Sequence, residues 1–187
     1  MHFQPETSTS VWATYFCDQL NTIKNIAFAL PFPYKLYVKE HPAAVGLRSG
    51  SFYRKLQELP NVVLIHANEN VEKLVAKSMG VVTLTSTIGM EAAFVGKPVY
   101  VLGNVFYSYH PMCRPVRGFG ELKENIERDL ANKPRINNLE DINCRFVISC
   151  FKNTIAGRVV SASQENDVNN YQSIYKDIKF YGSSAST

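Results

Sequence analysis

The chain has few of the features that assign a protein to a class at once. It has only four cysteines in 187 residues (Cys17, Cys113, Cys144, Cys150), with no CxxC pair and no histidine at zinc-ligand spacing. A disulfide framework and a structural zinc site are therefore not expected, and the cysteines read as reduced thiols. No DxD-type acidic pair is present, so no metal site and no cofactor are expected. No apolar run approaches the ~20 residues of a membrane span. The opening MHFQPETSTS has neither the basic nor the apolar stretch of a secretory signal. A cytoplasmic protein, or one peripheral at the inner face of the inner membrane, is expected. Charge of one sign is not in excess: 20 basic against 16 acidic residues leave +4. The basic residues are interleaved with acids, no nucleic-acid motif is present, and nucleic acid is not an expected partner. With 45% hydrophobic and 19% charged residues, the composition is that of a globular chain and not a disordered one.

What is present is an alternation of strand and helix patterns. Residues 11–29 carry apolar side chains at helical spacing (Tyr15, Phe16, Leu20, Ile23, Ile26) up to Pro31 and Pro33, which predicts one amphipathic helix. KLYVK at 35–39 and VVLI at 62–65 predict strands, the second apolar throughout, as a strand covered on both faces is. Helices are expected over 51–59, over 70–79 with Asn68 or Asn70 as cap, and over 88–95, closed by Gly96. Further strands are expected at 81–84 and 99–102, a long loop over 103–119, and helices over 120–131 and 139–157. Residues 161–187 read as a polar, loose tail with one short helix near 171–180, leaving 1–160 as the domain. The alternation predicts a doubly wound, mostly parallel α/β sheet, whose ligands bind beyond the carboxyl ends of the strands.

Three stretches fall on that rim. In TLTSTIGMEAAFVGKPV, a strand runs into Thr85, Ser86 and Thr87 and a helix begins at once, a place suited to phosphate. Gly89 would allow close approach of a ligand, and Glu91, one turn in, is placed to accept from ribose hydroxyls. The alternative is that Thr87 is only an N-cap with Glu91 as its capping-box partner. In KEHP, Lys39 and His41 follow a strand directly, where a phosphate or leaving group would lie, and Pro42 holds His41 out of helix. His41 suits a phosphate hydrogen bond or general acid work. A histidine that only satisfies its own turn fits equally. The loop 104–118 carries Tyr107, His110 and Arg114, suited to a base or an acidic sugar, or else to packing. Glu6, just before a helix start, is either a catalytic carboxylate or a simple complement to the helix dipole.

Taken in order, QPE at 4–6, DQ at 18–19, LYVKEHP at 36–42, LPNVVLI at 59–65 and TSTIGMEAAFVGKPVYVLG at 85–103 resemble the capsule polysaccharide synthesis family. These are bacterial glycosyltransferases that include β-Kdo transferases. The likeness spans about residues 2–130. It implies a GT-B architecture, with this chain as the Rossmann-like, donor-binding C-terminal half. It also implies CMP-Kdo as donor and a glycan or glycolipid as acceptor. His41-Pro42, Lys39 and Thr85–Thr87 would meet the donor phosphate, Glu91 the ribose, and Glu6 the reacting sugar as acid or base. Only five residues precede Glu6, so the expectation is either a fragment or truncated form of the enzyme or an acceptor half supplied by another chain. The rivals are a nucleotide-binding module without activity of its own and a UDP-sugar transferase or epimerase-like enzyme, since the TST-G-EA-GKP segment is shared more widely.

Overall fold

Five short strands and seven α-helices alternate along the described residues, 1–2 and 7–154, of the computed structural model. The chain divides into a unit Met1–Leu139 and a second unit from Glu140. The domain boundary expected near residue 160, the helix expected near 171–180, and Glu6 all lie outside the described residues.

The expected helix over 11–29 is three pieces: α1 (Thr7–Trp12), a 3₁₀ turn (Thr14–Phe16) and α2 (Gln19–Ala29). The break has a local cause. Asp18 takes an extended conformation and its carboxylate accepts the Asn21 N–H at 3.0 Å, starting a new helix. The remaining expected elements are observed with small changes at their ends. They are β1 (Leu36–Lys39), α3 (Gly50–Gln57), β2 (Val62–Ile65) and α4 (Val71–Lys77, capped by Asn70). Then come β3 (Val81–Thr83), α5 (Ile88–Phe94), β4 (Val99–Val101) and α6 (Phe119–Ala131). The expected loop over 103–119 contains a fifth strand, β5 (Cys113–Pro115), too short and too polar to announce itself. In the second unit, α7 (Leu139–Lys152) carries both Cys144 and Cys150, and all four cysteines are free thiols.

All strand pairing is parallel. β1 pairs with β2, with Lys39 opposite Ile65, and β3–β4–β5 form a second ladder with Thr83 opposite Val101. This is the Rossmann-like, doubly wound α/β arrangement, with parallel sheets flanked by helices. β2 is half-buried along its length, since it lies at the end of a two-stranded ladder and not between two neighbours.

α2 ties the two sheets together. Ile26 and Ala29 enter a core with Leu84, Tyr100, Leu102, Leu122 and Ile126. Ile23, one turn earlier, packs with Val38 and the fully buried Leu56. Leu36 at the start of β1 packs against both clusters. A fully buried leucine contributes on the order of 2 kcal/mol. No helix among the described residues is long and apolar enough to cross a membrane.

Candidate functional site

The parallel strands set the site's position, because all carboxyl ends within a sheet face one way. β1 ends at Lys39, and the chain turns through Glu40 and His41 into a 3₁₀ turn, Pro42–Ala44. Pro42 forces its predecessor to be extended, and His41 has φ −70° and ψ 131°. That conformation brings the His41 Nδ1 to 3.2 Å from the Ala43 N–H, which it accepts. Nδ1 therefore carries no proton, and Nε2–H is the exposed, donating edge of the ring.

Behind His41 stands a polar node built from four elements. The Glu40 side chain is 8% exposed. It accepts the Tyr53 hydroxyl at 2.6 Å and the His41 N–H at 3.2 Å, and it pairs with Arg48 Nε at 3.3 Å. Arg48 lies over the Phe52 ring and donates through Nη2 to the His2 carbonyl at 2.7 Å. Gln19, at the start of α2, clasps the same backbone, donating to the His2 carbonyl and accepting the His2 N–H, both at 3.0 Å. The Lys39 ammonium, which has three N–H donors, bonds the Ala67 carbonyl in the loop after β2.

On the other sheet, β3 ends at Thr83, and its hydroxyl accepts the Ser86 N–H at 3.3 Å. Ser86 Oγ accepts the Ile88 N–H at 3.5 Å. Thr87 makes no side-chain cap bond to α5 and is exposed, and Glu91 is exposed one turn on. The capping-box reading of Thr87 and Glu91 therefore does not describe this turn. Thr85 Oγ1 lies 3.5 Å from Ser8 Oγ at the start of α1. Gly103, after β4, is required by close packing: a Cβ there would lie 2.6 Å from the Leu84 carbonyl oxygen and 2.8 Å from Thr85 Cγ2.

The two rims are joined by the chain itself. His2 is clasped beside the β1 end and Ser8 beside the β3 end. Six residues span at most ~20 Å, which bounds the distance between these two anchor points of the chain.

Four residues named as candidate ligand contacts make packing or internal polar contacts. Gly89 does not face open space: a Cβ there would meet the Tyr107 ring at 2.8 Å and Thr83 Cγ2 at 2.9 Å. Tyr107 is buried and donates to the Ser86 carbonyl at 2.6 Å. His110 is buried, its Nδ1 accepting the Met112 N–H at 3.2 Å and its ring beside Phe94. Arg114 pairs with the buried Asp129, 3.3 Å away, and donates to the Pro111 and Cys113 carbonyls. Two short elements after β4, a 3₁₀ turn (Phe106–Tyr109) and β5, hold Tyr107, His110 and Arg114 in these contacts and leave Phe106 and Tyr109 as the exposed aromatics of the loop. Among the described residues no cluster of three or more His, Cys, Asp or Glu side chains is arranged to hold a metal.

Residues 18–117 match the family of capsule polysaccharide biosynthesis proteins, more than half of the chain. The chain belongs to that family. No curated protein and no solved structure shows significant similarity to it. The capsule-family match begins at Asp18, which caps α2, and Gln19, which clasps His2. It takes in the turn at 39–42, the node at Glu40, Arg48 and Tyr53, and the loop at 85–91. The sequence assigns no role to Glu40, Arg48, Tyr53 or Gln19, although Glu40 and Gln19 stand in the KEHP and DQ stretches. The signal was there for two of them: the DQ pair at a helix start, and an acid directly before HP.

Proposed function

We propose that this capsule-family chain is the donor-binding half of a bacterial glycosyltransferase. It would transfer a CMP-activated acidic sugar, of the CMP-Kdo kind, to a glycan or glycolipid acceptor, with the acceptor site completed by a further domain or partner chain in a GT-B arrangement. The observation that carries the reading is the family match, whose span contains both an exposed HP turn and a hydroxyl-rich loop at the carboxyl ends of parallel strands.

The chemistry follows from where charge appears. When the sugar leaves, the CMP phosphate gains negative charge, and fixed donors aimed at it stabilise that state more than the ground state. His41 offers Nε2–H because Nδ1 is held by the Ala43 N–H. The Lys39 ammonium and the hydroxyls of Thr85, Ser86 and Thr87 complete the phosphate contacts, and exposed Glu91 accepts from the ribose. Pro42 keeps the His41 turn extended. Glu6 would serve the reacting sugar as acid or base, a role read from the QPE resemblance alone.

The test is phosphorus NMR of CMP with the full chain. A shifted, broadened resonance that returns to the free position on His41→Ala is expected. An unchanged resonance at millimolar protein would overturn the reading. A binding module that works only with a partner is the second reading, and the exposed Val11, Trp12 and Tyr15 side chains of the first turns favour it.

A further inference from the structure

We propose that Glu40, acting with Arg48, is the positioning element of this site. It fixes the His41 turn from beneath and ties that turn to the chain at His2. The inference rests on the donor-site reading for its effect on affinity, while its geometry stands independently.

A strand end followed by His-Pro does not by itself hold an imidazole in one place. The Nδ1 bond to Ala43 fixes the ring relative to its own turn, but the turn must also be fixed relative to the sheet. Glu40 does this. Its buried carboxylate takes the His41 N–H, the first amide of the turn, and is itself held on two sides by the Tyr53 hydroxyl and Arg48. A buried carboxylate is strongly penalised unless it is paired and hydrogen-bonded. Glu40 has three such partners, from the turn, from α3 and from the loop before α3.

Arg48 extends the node. One guanidinium reaches Glu40 through Nε, and His2 O and Gln19 Oε1 through Nη2, while its Cζ lies 4.9 Å from the Phe52 ring centroid. A lysine has no fork to span these acceptors. The same side chain therefore holds both the HP turn, through Glu40, and the backbone at His2. Charge alone would not require this arrangement. A surface carboxylate near the site would repel a phosphate, whereas Glu40 is buried and neutralised by Arg48.

Two measurements on the full chain test the proposal. The first is the long-range nitrogen–proton spectrum of the histidine rings. The unaltered protein should show His41 as a single Nε2–H tautomer. Glu40→Gln and Arg48→Lys should each shift or split that signal while the His110 signal stays in place. Unchanged His41 signals in both variants would overturn the proposal whether or not any nucleotide binds. The second is a double-mutant cycle on CMP affinity with Glu40→Gln and His41→Ala. If Glu40 acts through His41, the double variant should be no weaker than His41→Ala alone, within about twofold. Losses that multiply would show that Glu40 acts elsewhere and would also overturn the proposal. Should Glu40→Gln fail to fold, Arg48→Lys takes its place in the same cycle. Failure of the unaltered chain to bind CMP would sink the donor-site reading, and the histidine spectrum would still decide the positioning claim.

Discussion

The Tyr107 hydroxyl donates to the Ser86 carbonyl at 2.6 Å, so a residue of the loop after β4 holds the loop after β3. The same carbonyl accepts the Gly89 N–H at 3.1 Å, and the Tyr107 ring fills the space where Gly89 lacks a side chain. Tyr107 is thus a wall behind the Thr85–Thr87 segment and not a surface on which a base stacks.

Gly89→Ala puts a methyl 2.8 Å from a ring that its own hydrogen bond holds in place. Overpacking costs about 1–3 kcal/mol, more than the roughly 1 kcal/mol that alanine gains in a helix. Calorimetry should show a melting temperature lowered by about 3 °C. An unchanged or raised melting temperature would show that the ring moves aside freely.

Arg114→Ala leaves the Asp129 carboxylate, 5% exposed, without its cation. Removing one partner of such a pair costs about 3 kcal/mol. The expected result is a large loss of stability with CMP affinity, measured well below the melting point, unchanged within twofold. A selective loss of affinity would return Arg114 to the ligand.

Burial pushes the phenols of Tyr100 and Tyr107 well above 10.0, and the Asp129 charge adds to the effect at Tyr100. The folded state thus favours the protonated form. The stability this represents is complete below pH 10 and is lost as pH rises further, when unfolding releases the protons. Ultraviolet titration should show Tyr100 and Tyr107 ionising only as the protein unfolds. Ionisation of all ten tyrosines together near pH 10 in a folded chain would contradict the burial described here.

Burial also raises the Cys113 thiol to about 11, while Cys144 is exposed on α7. At pH 8 a disulfide reagent should label Cys144 within minutes and leave Cys113 untouched until denaturant is added. Fast labelling at Cys113 would show that the β4–β5 edge opens in the native state.

Much of this was legible in the sequence, and the failures have physical causes. The strands at 36–39, 62–65, 81–83 and 99–101 were readable because short apolar runs between Pro, Gly and polar residues leave little choice. The helix over 11–29 was misread because its apolar spacing continues smoothly across Asp18, and only the cap bond shows the break. The two HP pairs are the sharpest case. His41 and His110 share backbone angles (φ −70°, ψ 131° and φ −69°, ψ 138°), and both Nδ1 atoms accept the amide two residues on. Their burial differs, and burial depends on the tertiary fold: His110 is enclosed beside Phe94, and His41 is exposed two residues after β1. Glu40 was equally hard to see, because an acid beside a proposed phosphate site looks unfavourable until Arg48, from eight residues on, is placed against it.

The most direct test is calorimetric titration of the chain with CMP and with UDP, beside His41→Ala and Glu91→Ala. The account predicts preferential CMP binding, weakened about tenfold or more by His41→Ala, as expected for a lost hydrogen bond to a charged group. Glu91→Ala should weaken it too, through the ribose. Equal binding of CMP and UDP, or binding indifferent to His41, would contradict it.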